Sequence, residues 1–281
     1  MNKQRFTRPY MVLVVALGAA ACAYSALNLP AGRLDVRFLG LAVITVAISS
    51  RLTVMIPRIS GHISVSDTFI FLTMLLYGGE PAVLLAATEA LCSSLFFSRR
   101  AIYIRPLTIA FNSMMMACST FLTAAAVRLL FGDVVLLPHG EFSATFVVAL
   151  CAMGLVQYVS NSSLAAVHTA FKTNQPGWRT WNKYYLWASI TYFAGASAAG
   201  IIAKVADVAG FYALVATTPI IAIVYFTYRT YLENIEAMAA AAKAEAAAEA
   251  RAESAAEQAE QARRHVEELS HYIAEQERIR E

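Results

Sequence analysis

Apolar residues run along this chain in long blocks, and polar residues gather in the short breaks between them. Runs of this length predict membrane-crossing helices rather than strands or soluble amphipathic helices. Eight are expected, near residues 10–29, 38–56, 64–77, 82–97, 106–131, 144–170, 186–203 and 211–230. The third is short, and the turn Gly78-Gly79-Glu80-Pro81 leads it into the fourth. Past Tyr231 the pattern changes to Ala, Glu, Arg and Gln, which are strong helix formers. From Ile220 to Glu281 there is no Gly and no Pro, so backbone chemistry forces no break. A helix of about 60 residues would run roughly 90 Å.

The predicted fold class is therefore all-α. A polytopic bundle of about eight spans, residues 1–230, forms a transmembrane domain and continues into a long cytoplasmic helix, residues 231–281. Leu232 and Ile235 fit one a/d seam on that helix, and Val266, Leu269 and Ile273 fit another. These five residues are the expected relay, in a parallel coiled coil that makes the chain a homodimer. A single solvated helix held by Glu/Arg pairs is the alternative, because the middle of the seam is Ala-rich. The chain stops at Arg280-Glu281 without a capping Gly or Asn, which reads as a helix cut in mid-course or one continued by a further domain.

Composition agrees with the pattern. Of the 281 residues, 58% are hydrophobic and 15% charged, which fits a polytopic membrane protein with the lipid bilayer as its first partner. The net charge of +3 hides an asymmetry: residues 1–228 hold 15 Lys and Arg against 7 Asp and Glu, and residues 229–281 hold 7 against 12. The basic excess follows membrane topology, so nucleic acid is not an expected partner. With the N-terminus inside, the inner loops carry ten Lys and Arg and the outer loops three. This bias predicts a multi-pass protein of the bacterial inner membrane with both termini cytoplasmic.

The third and fourth segments are either two crossings or a re-entrant hairpin. A single crossing would put Arg99, Arg100 and Arg105 outside and is rejected. Trp178, Trp181, Tyr184, Tyr185 and Trp187 read as an interfacial aromatic belt. The basic N-terminus before Tyr10–Leu29 reads as the start of an uncleaved first span. All loops are short, so any signal must be read within the spans or at their edges.

Ionisable residues inside spans are costly, and they mark candidate sites. Glu89 lies near the middle of the fourth span and is the leading candidate for a ligand or proton site, against a packing role through hydrogen bonds. Asp67 opens the third span, where Ser66 or Asp67 also suits a helix N-cap. Asn112 lies on the fifth span; Gln157, Asn161 and His168 on the sixth fall close to one helical face, together with Ser160. These polar residues either line a cavity or hydrogen-bond between helices. Glu80 is expected to face water, and Arg51 and Arg128 to snorkel from span ends. Gly195, Ala196, Ser197 and Gly200 predict a close helix contact. The four cysteines lie inside apolar runs with no CxxC, and neither a metal site nor a cofactor is expected. No HExxH, GxSxG or Walker loop is present, so no catalysis is expected in these residues.

Two stretches carry family resemblances. Residues 63–89, with a polar opener, an apolar helix, a Gly-containing turn and an apolar helix ending on Glu89, look like the substrate-binding components of energy-coupling-factor vitamin transporters. The tail from His265 to Ile279 resembles the linker helices that follow the membrane sensor regions of bacterial cyclic-di-GMP signalling proteins of the GGDEF/EAL type. No GGDEF or EAL motif occurs here, so that likeness implies a sensor region and carries no enzymatic activity onto this chain.

The expected function is a membrane-embedded input module. It relays a ligand or membrane stimulus through its last helix to a cytoplasmic output, with cyclic-di-GMP turnover as the implied output. The alternatives are a small-molecule binding or transport protein of the vitamin-transporter type, and a membrane anchor and dimerisation scaffold without a ligand.

Overall fold

The computed structural model describes residues 3–49, 53–55, 62–64, 66–100, 104–139, 142–186, 188–210 and, with short gaps, 230–266. The chain divides into two compact units, Met1–Pro219 and Ile220–Glu281. The first unit contains α1 (Thr7–Leu27), α2 (Val36–Ser49), α3 (Ser66–Tyr77), α4 (Gly79–Arg100), α5 (Pro106–Phe131), α6 (Ala144–Thr173), α7 (Gly177–Tyr184) and α8 (Ala188–Ala209). Two short strands, β1 (Thr53–Met55) and β2 (His62–Ser64), pair antiparallel with Thr53 opposite Ser64. The predicted helical class holds, with this small ribbon as an addition.

The expected count of eight crossings is corrected. Among the described residues, four helices are long and apolar enough to cross a membrane: Gln4–Leu27, Pro106–Phe131, Ala144–Thr173 and Ala188–Ala209. α2 and α3 are apolar but have only 14 and 12 residues. At 1.5 Å per residue they reach about 21 and 18 Å, against a hydrocarbon core of about 30 Å. α4 has the length, but Glu80 and Glu89 interrupt its apolar run. The expected span at 211–230 has only Thr230 among the described residues. Apolar runs alone do not tell a full crossing from a shorter apolar helix, nor a lipid-facing helix from one covered by protein.

α3 is the covered one. Ile70, Phe71, Leu72, Met74 and Leu75 are all buried, along with Asp67 and Thr73. A helix that is apolar on nearly every side is either enclosed by protein or faces lipid, and α3 is enclosed by α2, α4 and α8. The ribbon precedes α3, and β2 touches α8. The predicted second span at 38–56 accordingly ends as helix at Ser49, and the β-branched pair Thr53-Val54 lies in β1.

α5 is the second organising helix and packs on α1, α4 and α6. Small residues set these approaches. A Cβ built on Gly79 would lie 2.5 Å from that of Ala124. The predicted close contact through Gly195, Ala196 and Gly200 is present on α8: Gly195 lies against Asp67 and Thr68, Ala196 against Gly154, and Gly200 against Leu150.

We call the end of the bundle where α3 turns into α4 the upper end. Among the described residues four ion pairs lie there: Glu80 with Arg128 at 2.7 Å, Arg37 with Asp35 at 3.7 Å, Arg33 with Asp133 at 3.8 Å, and His139 with Asp207 at 3.8 Å, the last an ion pair only when the imidazole is protonated. Glu80 therefore does not simply face water as expected. Its side chain is 14% exposed and bonds the guanidinium of Arg128, because the antiparallel α4 and α5 bring both to the same level.

In the second unit, the described residues between Thr230 and Val266 are helical, and Arg264 pairs with Glu260 one turn away. Of the expected relay residues, Ile235 and Val266 are exposed apolar side chains of this helix. Leu232, Leu269 and Ile273 lie outside the described residues.

Candidate functional site: a buried acidic pair at the start of α3

Gly78 sets the geometry. Its φ of +105° is a conformation that favours glycine, and its N–H caps α3 on the Met74 carbonyl at 3.1 Å. Asp67 precedes Gly78 by eleven positions (78 − 67), and Glu89 follows it by eleven (89 − 78). Eleven residues make about three helical turns. In an antiparallel hairpin this spacing puts both carboxylates at about the same level.

Both are buried, with Asp67 8% and Glu89 4% exposed. Among the described residues neither has an ion-pair partner, in contrast to Glu80, Asp133 and Asp207 at the upper end. Oε1 of Glu89 accepts a hydrogen bond from the Ser93 hydroxyl at 2.8 Å. α3 begins at Ser66, so Asp67 sits inside the first turn rather than before it. The helix dipole favours a carboxylate there. Because α3 has only 12 residues, its first turn lies within the bundle instead of at its edge.

α6 and α8 complete the surroundings. Gly195 has no side chain, so α8 approaches Asp67 closely: a Cβ built on Gly195 would lie 3.7 Å from the Asp67 Cβ. Tyr192, one turn earlier on α8, is buried and also within electrostatic range of Asp67. Its hydroxyl oxygen accepts a hydrogen bond from Nδ2 of Asn161 at 2.5 Å. The carbonyl Oδ1 of Asn161 is buried without a hydrogen-bond partner. Tyr158, one turn before Asn161, is 5% exposed, and its hydroxyl also lacks a partner. The Tyr158 ring packs against Tyr192, with centroids 6.1 Å apart, and against Trp181 at 5.8 Å.

Trp181 lies on the short α7, and its indole N–H donates to Ser162 on α6 at 2.9 Å. It is therefore part of the packed interior as well as of the expected aromatic belt. Trp178 stacks on it at 5.3 Å and remains exposed.

The structure thus places Asn161 on Tyr192, one turn of α8 from the Gly195 that lies against Asp67, with Glu89 on the neighbouring α4. It does not bring in the other three predicted ligand residues. Gln157 is 1% exposed and fully engaged with α5: its amide donates to the hydroxyls of Ser119 and Thr120, and its carbonyl accepts from Thr123 at 2.7 Å. Asn112 donates to Ser94 on α4 at 3.4 Å. His168 packs on Phe111 with centroids 4.7 Å apart, in an aromatic cluster with Tyr10 and Phe171. These three tie helices together, the interhelical role left open by the sequence. Gln157→Leu is accordingly expected to lower thermal stability by about 1 kcal/mol, the scale of membrane interhelical hydrogen bonds. Unfolding in detergent, followed by intrinsic fluorescence, measures it, and an unchanged midpoint would contradict the structural role.

Sequence reasoning missed Tyr192 and gave Tyr158 no role. It also missed the pairing of Asp67 with Glu89, for which the equal spacing about Gly78 was the available signal. The open spaces described lie elsewhere. A cavity of about 350 Å³ at the upper end is lined by Tyr24, Ser25, Glu80, Phe121 and Arg128, and an apolar groove of about 510 Å³ runs between α2 and α4.

The chemistry available around Asp67 is that of acceptors: two carboxylates and an amide carbonyl beside aromatic rings. Such a set can hold a proton or a cation. No protein-family model matches this chain, and neither a curated protein nor a solved structure matches it.

Proposed function

We infer that this chain is a membrane-embedded input module, which converts occupancy or charge at the Asp67–Glu89 site into a movement passed to a cytoplasmic output through its C-terminal helix. The observation that carries this reading is the burial of two carboxylates without ion-pair partners among the described residues, at the first turn of a helix enclosed by its neighbours. Ionisable groups so placed are costly, and in membrane helices they mark ion, proton or ligand sites. α3 contacts α2, α4 and α8, so a small displacement at Asp67 bears on three helices at once. A stimulus acts by binding one packing of these helices better than another.

The relay reading rests on the tail. Ile235 and Val266 are apolar and exposed on the single chain, as a seam awaiting a second copy would be. Cyclic-di-GMP turnover, implied only by the resemblance of the linker, is the proposed class of output.

Register tests the relay. In a fusion to a cytoplasmic dimerisation-dependent reporter, insertion of one, two or three residues after Met238 turns the distal helix by about 100° per residue. Output is expected to change with each insertion and to return toward its starting level when seven residues, about two turns, are inserted. Output indifferent to all of these insertions would remove rigid transmission. Uptake of a substrate by vesicles holding a chain without the tail would favour transport instead.

A further inference from the structure

We propose that the cavity at the upper end, between α1, α4 and α5, binds a small zwitterion with an apolar body. The ligand's ammonium and anionic group bond the Glu80–Arg128 pair, and its body lies against Phe121 and Val83. Neither Asp67 nor Glu89 lines this cavity, so the site is additional to the one that carries the input-module reading.

The cavity lies where the end of α1, the start of α4 and the end of α5 meet. Its volume of about 350 Å³ is that of roughly a dozen waters and falls in the range of small-molecule sites. Three observations choose the ligand class. The first is charge. Among the described residues that line the cavity, the charged ones are Glu80 and Arg128, and they bond each other at 2.7 Å. A net anion would meet Glu80 and a net cation would meet Arg128, whereas a zwitterion matches both. The pair need not open to receive it. Among the described residues, Arg128 bonds Glu80 through Nη2, and Glu80 accepts that bond on Oε1. The guanidinium keeps further N–H donors for an anion, and Oε2 of Glu80 stays open to an ammonium. The four charges then alternate around one ring. Both side chains are favoured where they stand, since Glu80 is in the first turn of α4 and Arg128 in the last turn of α5.

The second observation is an unused hydroxyl. Ser25 lines the cavity and is 0% exposed, and its Oγ has no hydrogen-bond partner. A serine inside a helix can bond the carbonyl one turn back, and Ser25 does not. A buried polar atom left unpaired costs free energy, which a bound polar group removes. The third is the apolar wall. Val83 is fully buried, Tyr24 and Phe121 pack edge to face at 5.6 Å, and Ala124 and Leu129 add aliphatic surface. Two sources supply this chemistry: a free amino acid with an apolar side chain, and the ethanolamine headgroup of a phospholipid.

The test uses the full chain in a non-ionic detergent, with isothermal titration calorimetry of phenylalanine and of dihexanoylphosphatidylethanolamine. Each has counterparts with a single charge: hydrocinnamate and phenethylamine for the amino acid, dihexanoylphosphatidylglycerol for the lipid. Saturable binding is expected for at least one zwitterion, and at least tenfold weaker binding for its counterparts. Ala125 lines the cavity from an exposed position, so Ala125→Phe fills the space at little cost to the fold. Affinity is expected to fall at least tenfold in Ala125→Phe and in Arg128→Gln. In Ser25→Ala it falls about fivefold, the scale of one neutral hydrogen bond.

Binding of phenylalanine assigns the site to free amino acids, and binding of the lipid alone assigns it to the headgroup; either supports the proposal. No saturable binding of either zwitterion to the wild-type chain overturns it, and this needs no variant to fold. A single-charge counterpart that binds as tightly as its zwitterion also overturns it. Unchanged affinity in an Ala125→Phe chain that melts like the wild type places the ligand elsewhere and overturns it too.

Discussion

Gly18→Val is expected to lose the folded bundle more completely than any other single substitution among the described glycines. Gly18 lies on α1 where it crosses α5. A Cβ built there would meet the Met114 carbonyl oxygen, lie 2.5 Å from the Met114 Cβ and 2.7 Å from its Cα. Two of these three atoms are backbone, and helix backbone cannot rotate aside. The helices must separate, and with them the cluster of Met11, Val14 and Phe111 and the weak bond from the Cys118 thiol to the Val14 carbonyl. Overpacking of a well-filled interior costs about 1–3 kcal/mol where side chains can adjust, and more where they cannot.

Gly200 gives the internal comparison. Its added Cβ meets only the end of the Leu150 side chain, which has other rotamers. Gly200→Ala is expected to fold with a modestly lower midpoint. Size-exclusion chromatography and thermal unfolding in one detergent distinguish the two. If Gly18→Val melted with the wild type, the α1–α5 approach described here would be wrong.

The double variant Asp67→Asn, Glu89→Gln is expected to raise thermal stability while fixing the output of the reporter fusion in one state. Two buried carboxylates at one level repel when both are charged. At the effective interior dielectric such repulsion is on the order of 1–3 kcal/mol. The amides keep the size and most of the hydrogen bonding but remove the charge. A group retained only for structure behaves in the opposite way, since replacing it lowers stability. Sites that give up stability for function are common, and this paired readout separates the two cases. A lowered melting midpoint with unchanged regulation would return Asp67 and Glu89 to a packing role.

Much of the architecture was legible in the chain. The predicted fifth segment, 106–131, matches α5 from Pro106 to Phe131, and α1, α6 and α8 lie within a few residues of their predicted spans. Pro106 at the start of α5 and Gly132 just past its end are readable terminators, because one fixes φ and lacks an N–H while the other adopts a φ of +83°. The close contact at Gly195 and Gly200 was readable for a related reason. Small residues on an apolar helix have few uses other than letting another helix approach.

The sequence by itself determined that this chain is helical, where its long apolar helices run, and that Glu89 is a costly residue to explain. Those properties follow from one segment at a time, since apolar length and helix-ending residues act locally. Tertiary structure alone decided the rest. It enclosed α3 with α2, α4 and α8, joined Glu80 to Arg128, bound Gln157 into α5 rather than a ligand site, and set Tyr158 and Tyr192 beside Asn161. The physical reason is rotational: a helix of given sequence can turn about its axis or slide along a neighbour with little change in its own energy. Only packing against the other helices fixes which polar side chains meet.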